Sequence, residues 1–200
     1  MSTNLMPRAP LTQEAVAEAA LRIVDSSGVK ALNMRALGEA LDVSAPAIYH
    51  HFKDKDEVLR AVTDHLRSTM RIEAPAGDDF VEWLIRLGSE YFNVFVAHPN
   101  VAPLLLSDSA RSHARTSPLW EYILGQFAAH DIPPEDRIAT LDIIESYCLG
   151  AVLVAIRNQT VKRAIDPLTQ LAAAERANKR TAAQTFEQGY RALIQSLVQP

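Results

Sequence analysis

The chain has one cysteine, Cys148, in 200 residues. An internal disulfide is therefore excluded, and this usage fits a reducing compartment. Strand-like alternation is scarce, and the hairpin pairs Asn-Gly and Asp-Gly are absent, which removes an all-β fold. Neither sign of charge dominates: 20 lysines and arginines stand against 24 aspartates and glutamates, a net charge of −4. Before Met70 there are 8 basic and 9 acidic residues, and after it 12 and 15. A polybasic nucleic-acid coat is thus excluded, and any nucleic-acid contact must come from local charge placement. The opening "MSTNLMPRAPLTQ" lacks the apolar core of a signal peptide. The longest apolar run, "YCLGAVLVAI" from Tyr147 to Ile156, is ten residues long, short of the roughly 20 that span a bilayer. These absences point to a soluble, cytoplasmic protein.

Catalytic and metal patterns are missing as well. The six histidines show neither His-x-x-x-His nor His-Glu-x-x-His spacing. His50 and His51 are adjacent, so on a helix they point about 100° apart and make a poor metal pair. No glycine-rich phosphate loop or nucleophile elbow occurs, and Cys148, inside the apolar run, reads as packing. The expectation is a protein that is not an enzyme and uses no metal or cofactor.

What is present is helical periodicity. Thr12 can cap a first helix with Val16, Ala20, Ile23 and Val24 on one face. Gly28 is available to end it in a left-handed turn. Asn33, Ser44 and Asp54 are placed to cap three more helices, the last running through Val58, Val62 and Leu66 to Met70. "EAPAGDD" then interrupts the pattern and marks a candidate boundary. Beyond it the spacing predicts helices over 79–97, near 101–106, over 117–130, over 138–156 and over 181–198. The alanine-rich "LAAAERANKRTAAQ" reads as helix in preference to linker.

The most informative stretch is "VSAPAIYHHFKDKDEVL". With Ser44 as N-cap, Pro46 falls in the first helical turn, where its missing N–H is no loss. Helix, short turn and helix then follow one another, with Leu37, Leu41, Val43 and Ile48 packing the pair: the arrangement of a helix-turn-helix. Ser44, Ala45, Pro46 and Ala47 offer a close approach to base edges, the alanines suiting thymine methyls. Tyr49 suits a phosphate oxygen, and His50 beside it a phosphate or a base. Lys53 and Lys55 begin the next helix, whose N-terminal dipole favours an anion. Arg35 stands where it can anchor the other side of a groove. His51 and Phe52 fit the core. An alternative keeps the whole stretch as the core and solvated face of a protein-interaction module or helical enzyme. Against it, Pro46 with Ala45 and Ala47 presents little apolar area to a partner.

Over Thr12 to about Leu66 the chain resembles the TetR (tetracycline repressor) family of bacterial transcription regulators. The resemblance is carried by "P-A-I-Y-x-H-F-x-x-K-x-x-L". It implies base reading by Ala45, Pro46 and Ala47 and phosphate contacts by Tyr49, His50 and Lys55. It departs from the family at Asp42, where a glycine usually ends the second helix. The fold it implies is all-α, with an N-terminal three-helix DNA-binding domain (1–54) and a larger helical effector-binding and dimerisation domain (55–200). The function implied is a repressor, released from a near-palindromic operator by a small molecule.

Candidate pocket residues are Trp83, Leu87, Tyr91, Phe95, Trp120, Phe127, Tyr147 and Cys148, with Asp142 and Glu145 as polar members. Aromatics at helical spacing are also what a core looks like, and the two carboxylates suit solvent or an arginine such as Arg86 equally well. In tetracycline sensors a histidine and a glutamate help bind a drug–magnesium complex. The stretch "VAPLLL" after "HPN" has no such histidine, so an apolar or aromatic effector fits better. Gly150, Ala151 and Ala155 on the long helix allow close helix approach. Phe186, Tyr190, Leu193, Ile194 and Leu197 form an apolar face on the last one. A four-helix homodimer interface is expected there, the alternative being that both faces lie inside the protomer.

Overall fold

The computed structural model describes residues 10–71, 80–106, 118–160 and 169–198, and among them every regular element is helical. The chain divides into two compact units, 1–65 and 66–200. The division falls inside a helix, neither at the expected 54/55 boundary nor at "EAPAGDD", all of which lies outside the described residues.

In the first unit, α1 (Gln13–Ser27) starts where the Thr12 hydroxyl accepts the Ala15 N–H at 3.1 Å. Its buried face is Val16, Ala17, Ala20 and Val24. Gly28 ends it at φ 77° and ψ 167°. This is a glycine conformation, but an extended one, not the expected left-handed turn. A 3-10 turn (Val29–Ala31) leads to α2 (Met34–Leu41), capped by Asn33 on the Ala36 N–H. Asp42 then turns the chain at φ 53° and ψ 44°, the left-handed conformation that aspartate tolerates better than most residues.

The second helix of the pair, α3, is only Ala45–Tyr49. Pro46 lies in its first turn, and the Ser44 side chain makes no capping bond. The tight α2–α3 turn depends on Gly38. A Cβ there would lie 2.7 Å from the Val43 carbonyl oxygen, while the Val43 N–H closes the turn on the Gly38 carbonyl at 2.9 Å. Leu37, Ile48, Phe52, Val58 and Val62 complete the core.

Next, α4 (Lys55–Ser68) begins in the first unit and ends in the second. Its start is a reciprocal cap: Asp54 accepts the Glu57 N–H at 2.8 Å and Glu57 accepts the Lys53 N–H at 2.6 Å.

In the second unit, α5 (Phe80–Ala97), α7 (Pro134–Thr160) and α9 (Ala182–Val198) pack most extensively on one another. A 3-10 turn (Ala102–Leu106), α6 (Pro118–Ala129) and α8 (Gln170–Ala177) complete it. The alanine-rich stretch is not one helix. Asn178 accepts the Arg180 N–H, and Thr181 and Gln184 cap each other reciprocally to start α9 afresh. By length and composition α7, 27 residues long, is apolar enough to cross a bilayer. Yet one side of it, through Leu141, Ile144, Cys148 and Val152, lies in the protein core.

Candidate functional site

The outer surface of the helix-turn-helix carries the residues expected to meet DNA. Ile48 is fully buried and fixes α3, while Tyr49 is 55% exposed. Ser44, Pro46, His50 and Lys53 are exposed, and Ala45 and Ala47 are half-buried. Arg35 is exposed and donates to Glu39 at 2.9 Å.

Lys55 has a second task. Its Nζ donates to the Val29 carbonyl at 2.7 Å, tying the start of α4 to the 3-10 turn 26 residues earlier. The expected anion-favouring dipole at that helix start is already met by the carboxylates of Asp54 and Glu57. Any phosphate there has to be held by side chains rather than by the helix end. His51 is half-buried, its carbonyl accepting from Gln13 at 3.1 Å, and Phe52 is in the core.

The second unit contains a cavity of about 60 Å³, largely apolar. Of the ten expected pocket residues, it brings together Leu87, Tyr91, Trp120, Glu145 and Cys148. Four others do not line it. Trp83 is stacked on Phe80, Phe127 meets Phe80 edge-on, Phe95 lies fully buried against Tyr91, and Asp142 faces solvent. The fifth, Tyr147, turns toward α9, donating its hydroxyl proton to the Phe186 carbonyl at 3.3 Å, with Gly189 leaving room for that hydroxyl.

Sequence reasoning missed Arg67, Met70, Leu119, Ile123, Ile144 and Tyr190 among the lining residues. Burial pushes the Tyr91 hydroxyl well above its ordinary range, Arg67 opposing the shift and Glu145 adding to it. Burial likewise pushes the Cys148 thiol up to about 12, so it stays protonated.

The interface expectation on the last helix needs correction at three positions. Phe186, Tyr190 and Ile194 are buried inside the protomer. Phe186 stacks between Phe92 (4.5 Å) and Tyr190 (5.1 Å), and Tyr190 in turn lies over Tyr147 (5.7 Å). Ala155 is also in the core, while Leu193, Leu197 and Ala151 are half-buried and Gly150 is exposed. The long helix turns Ile143 (42% exposed) and Val154 (45%) outward. With Gly150 these share one face by helical spacing. The bidentate Arg191–Glu82 pair joins α9 to α5 at the surface. Its hydrogen bonds hold the Glu82 carboxyl below the usual range.

The profile of the family described as bacterial regulatory proteins, tetR family, matches residues 16–62, the helix-turn-helix with most of α1 and the first half of α4. An HTH-type transcriptional regulator of Saccharopolyspora erythraea is 29% identical over 71% of this chain, which spans 60% of that relative's length. The class A tetracycline repressor from transposon 1721 of Escherichia coli is 28% identical, covering 94% of this chain and 90% of its own. Among solved structures, Mycobacterium smegmatis BioQ superimposes with a TM-score of 0.71 at 26% identity, over 94% of this chain and 98% of that one.

Proposed function

We propose that the chain, whose residues 16–62 match the tetR family of bacterial regulatory proteins, is a cytoplasmic, sequence-specific transcriptional repressor of that family. It acts as a homodimer on a near-palindromic operator and leaves it when a small apolar or aromatic effector binds. The observation that carries this reading is the outer face of α3. There Tyr49 is held 55% exposed beside Pro46, Ala47 and His50, on a helix anchored by the fully buried Ile48. A tyrosine so placed adds nothing to the core, but its hydroxyl suits a phosphate oxygen while the small residues before it suit base edges.

Dimerisation is supported by α7, whose Ile143, Gly150 and Val154 form an uncovered stripe. A second copy related by a two-fold axis would cover that stripe and present two reading heads. Release follows from size. At about 60 Å³ the cavity is well below the roughly 300–1,000 Å³ of a drug-sized ligand site, so an effector must displace its lining. Arg67, near the end of α4, and Met70 just after it belong to that lining. Moving them moves the helix that begins at Lys55 beside the reading head.

The described lining is largely apolar, with Leu87, Trp120, Ile123, Leu141 and Ile144 among its walls, which favours an apolar or aromatic effector. Its cysteine, protonated by burial, offers no nucleophile, which favours binding over catalysis. The test is selection of genomic DNA fragments by the purified protein at fixed salt, with Tyr49→Ala alongside. Enrichment of one near-palindromic site, lost in the variant, supports the reading. Equal enrichment by both proteins, or none by either, refutes it.

A further inference from the structure

Tyr190 lines the cavity and its hydroxyl is completely buried, yet among the described residues that hydroxyl has no partner in hydrogen-bond geometry. Its polar neighbour is the Cys148 thiol, which interacts with it only as a weak sulfur partner and outside hydrogen-bond geometry. Nor is it free to swing away. The ring is stacked on Phe186 and Tyr147, and Gly88 leaves it just enough room: a Cβ at that position would lie 2.1 Å from the ring. Its neighbour Tyr147 shows the usual solution, a backbone carbonyl taking the proton. A buried donor without an acceptor is rare in folded proteins and calls for an absent partner.

We propose, resting on the effector reading above, that the effector carries a neutral hydrogen-bond acceptor, a carbonyl or ether oxygen on an apolar body, which takes the Tyr190 proton. A neutral acceptor suits the site because the lining carries one cation and one carboxylate, Arg67 and Glu145, and so no net charge to recruit an anion. The body is apolar because Leu87, Trp120, Ile123, Leu141 and Ile144 make up the walls. Tyr190 is thereby a specificity-determining residue, since a site built to pair a polar atom discriminates against the analogue that lacks it.

The experiment uses two probes of one shape, cyclohexanone and methylenecyclohexane, in which a C=CH₂ group replaces C=O. Their affinities for the wild-type protein and for Tyr190→Phe are measured by saturation-transfer NMR titration. The wild-type preference for the ketone over the alkene should exceed that of the variant by about tenfold, the size of one well-made hydrogen bond. Without probe, Tyr190→Phe should melt about 2–4 °C higher, because the ring stays seated and the orphan donor is gone. If both probes bind but the preference is the same in the two proteins, this inference falls and the effector cavity stands. If neither probe binds at millimolar concentration, the cavity reading falls, and this inference with it.

Discussion

Gly38→Ala tests the geometry of the reading head most sharply, because two effects of opposite sign compete. In a helix interior, alanine gains about 1 kcal/mol over glycine. Here the new methyl would lie 2.7 Å from the Val43 carbonyl oxygen and 3.4 Å from the Ala45 nitrogen. Ordinary contact requires the carbonyl to retreat by about 0.7 Å. Backbone cannot swing aside as a long side chain can, and overpacking of this kind costs about 1–3 kcal/mol. The retreat also strains the Val43–Gly38 hydrogen bond that closes the turn, worth about 1 kcal/mol. The clash wins, for a net loss of about 1–3 kcal/mol. Because the displaced residues lead into α3, DNA affinity should fall as well. Urea unfolding and operator titration are the assays. Gly125→Ala is the control, since a Cβ there meets nothing within 4 Å and should stabilise by about 0.5–1 kcal/mol. A Gly38→Ala protein as stable as wild type, with unchanged DNA affinity, refutes this account of the turn.

Other expectations follow from single contacts. Lys55→Met keeps the stem but removes the donor to the Val29 carbonyl, so the urea midpoint should fall by the equivalent of about 1–2 kcal/mol, whereas Lys53→Met should leave it unchanged; equal midpoints for both contradict the tie. Arg191 holds the Glu82 carboxyl below its ordinary value of 4.5, so its contribution to stability is complete above that value and disappears as pH falls through the lowered one. The difference in melting temperature between wild type and Glu82→Gln should accordingly be largest near neutrality and shrink below pH 4.5; a difference that grows with acidification reverses the sign. Ile143→Asp, on the exposed face of α7, should give a folded monomer in sedimentation velocity with unchanged helical circular dichroism, and a persisting dimer would move the interface elsewhere.

The first unit was largely legible because its information is local. Thr12, Asn33 and Asp54 were each placed as caps from residue type alone, and each makes its side-chain bond. Asp42 was the one residue out of place in its family pattern, and it does adopt the left-handed conformation. What sequence reasoning missed there was long-range or steric. Nothing within seven residues of Lys55 announces the Val29 carbonyl, and Gly38 reads as an ordinary helix position until the following turn is folded against it.

The second unit was harder for the same reason. Periodicity shows that Phe186, Tyr190 and Ile194 share a covered face, but not whether the cover is the protomer or a second subunit. Half of the expected cavity residues reach the cavity. The aromatics that do not, Trp83, Phe95, Phe127 and Tyr147, are packed into other aromatic contacts. Arg67 and Met70 were missed because the pocket candidates were sought only from Trp83 onward, beyond the end of α4. The last helix was expected over 181–198 and spans Ala182–Val198, whereas high alanine propensity hid the break that precedes it at Asn178.

The most direct measurement of the central claim is hydroxyl-radical footprinting on a selected genomic fragment. A dimer reading with two α3 helices should protect two blocks about one helical turn apart, or a multiple of that. Tyr49→Ala should weaken both blocks together while leaving the urea midpoint unchanged. One block only, or the same footprint with Tyr49→Ala, would contradict the claim that this face of α3 reads DNA in a symmetric pair.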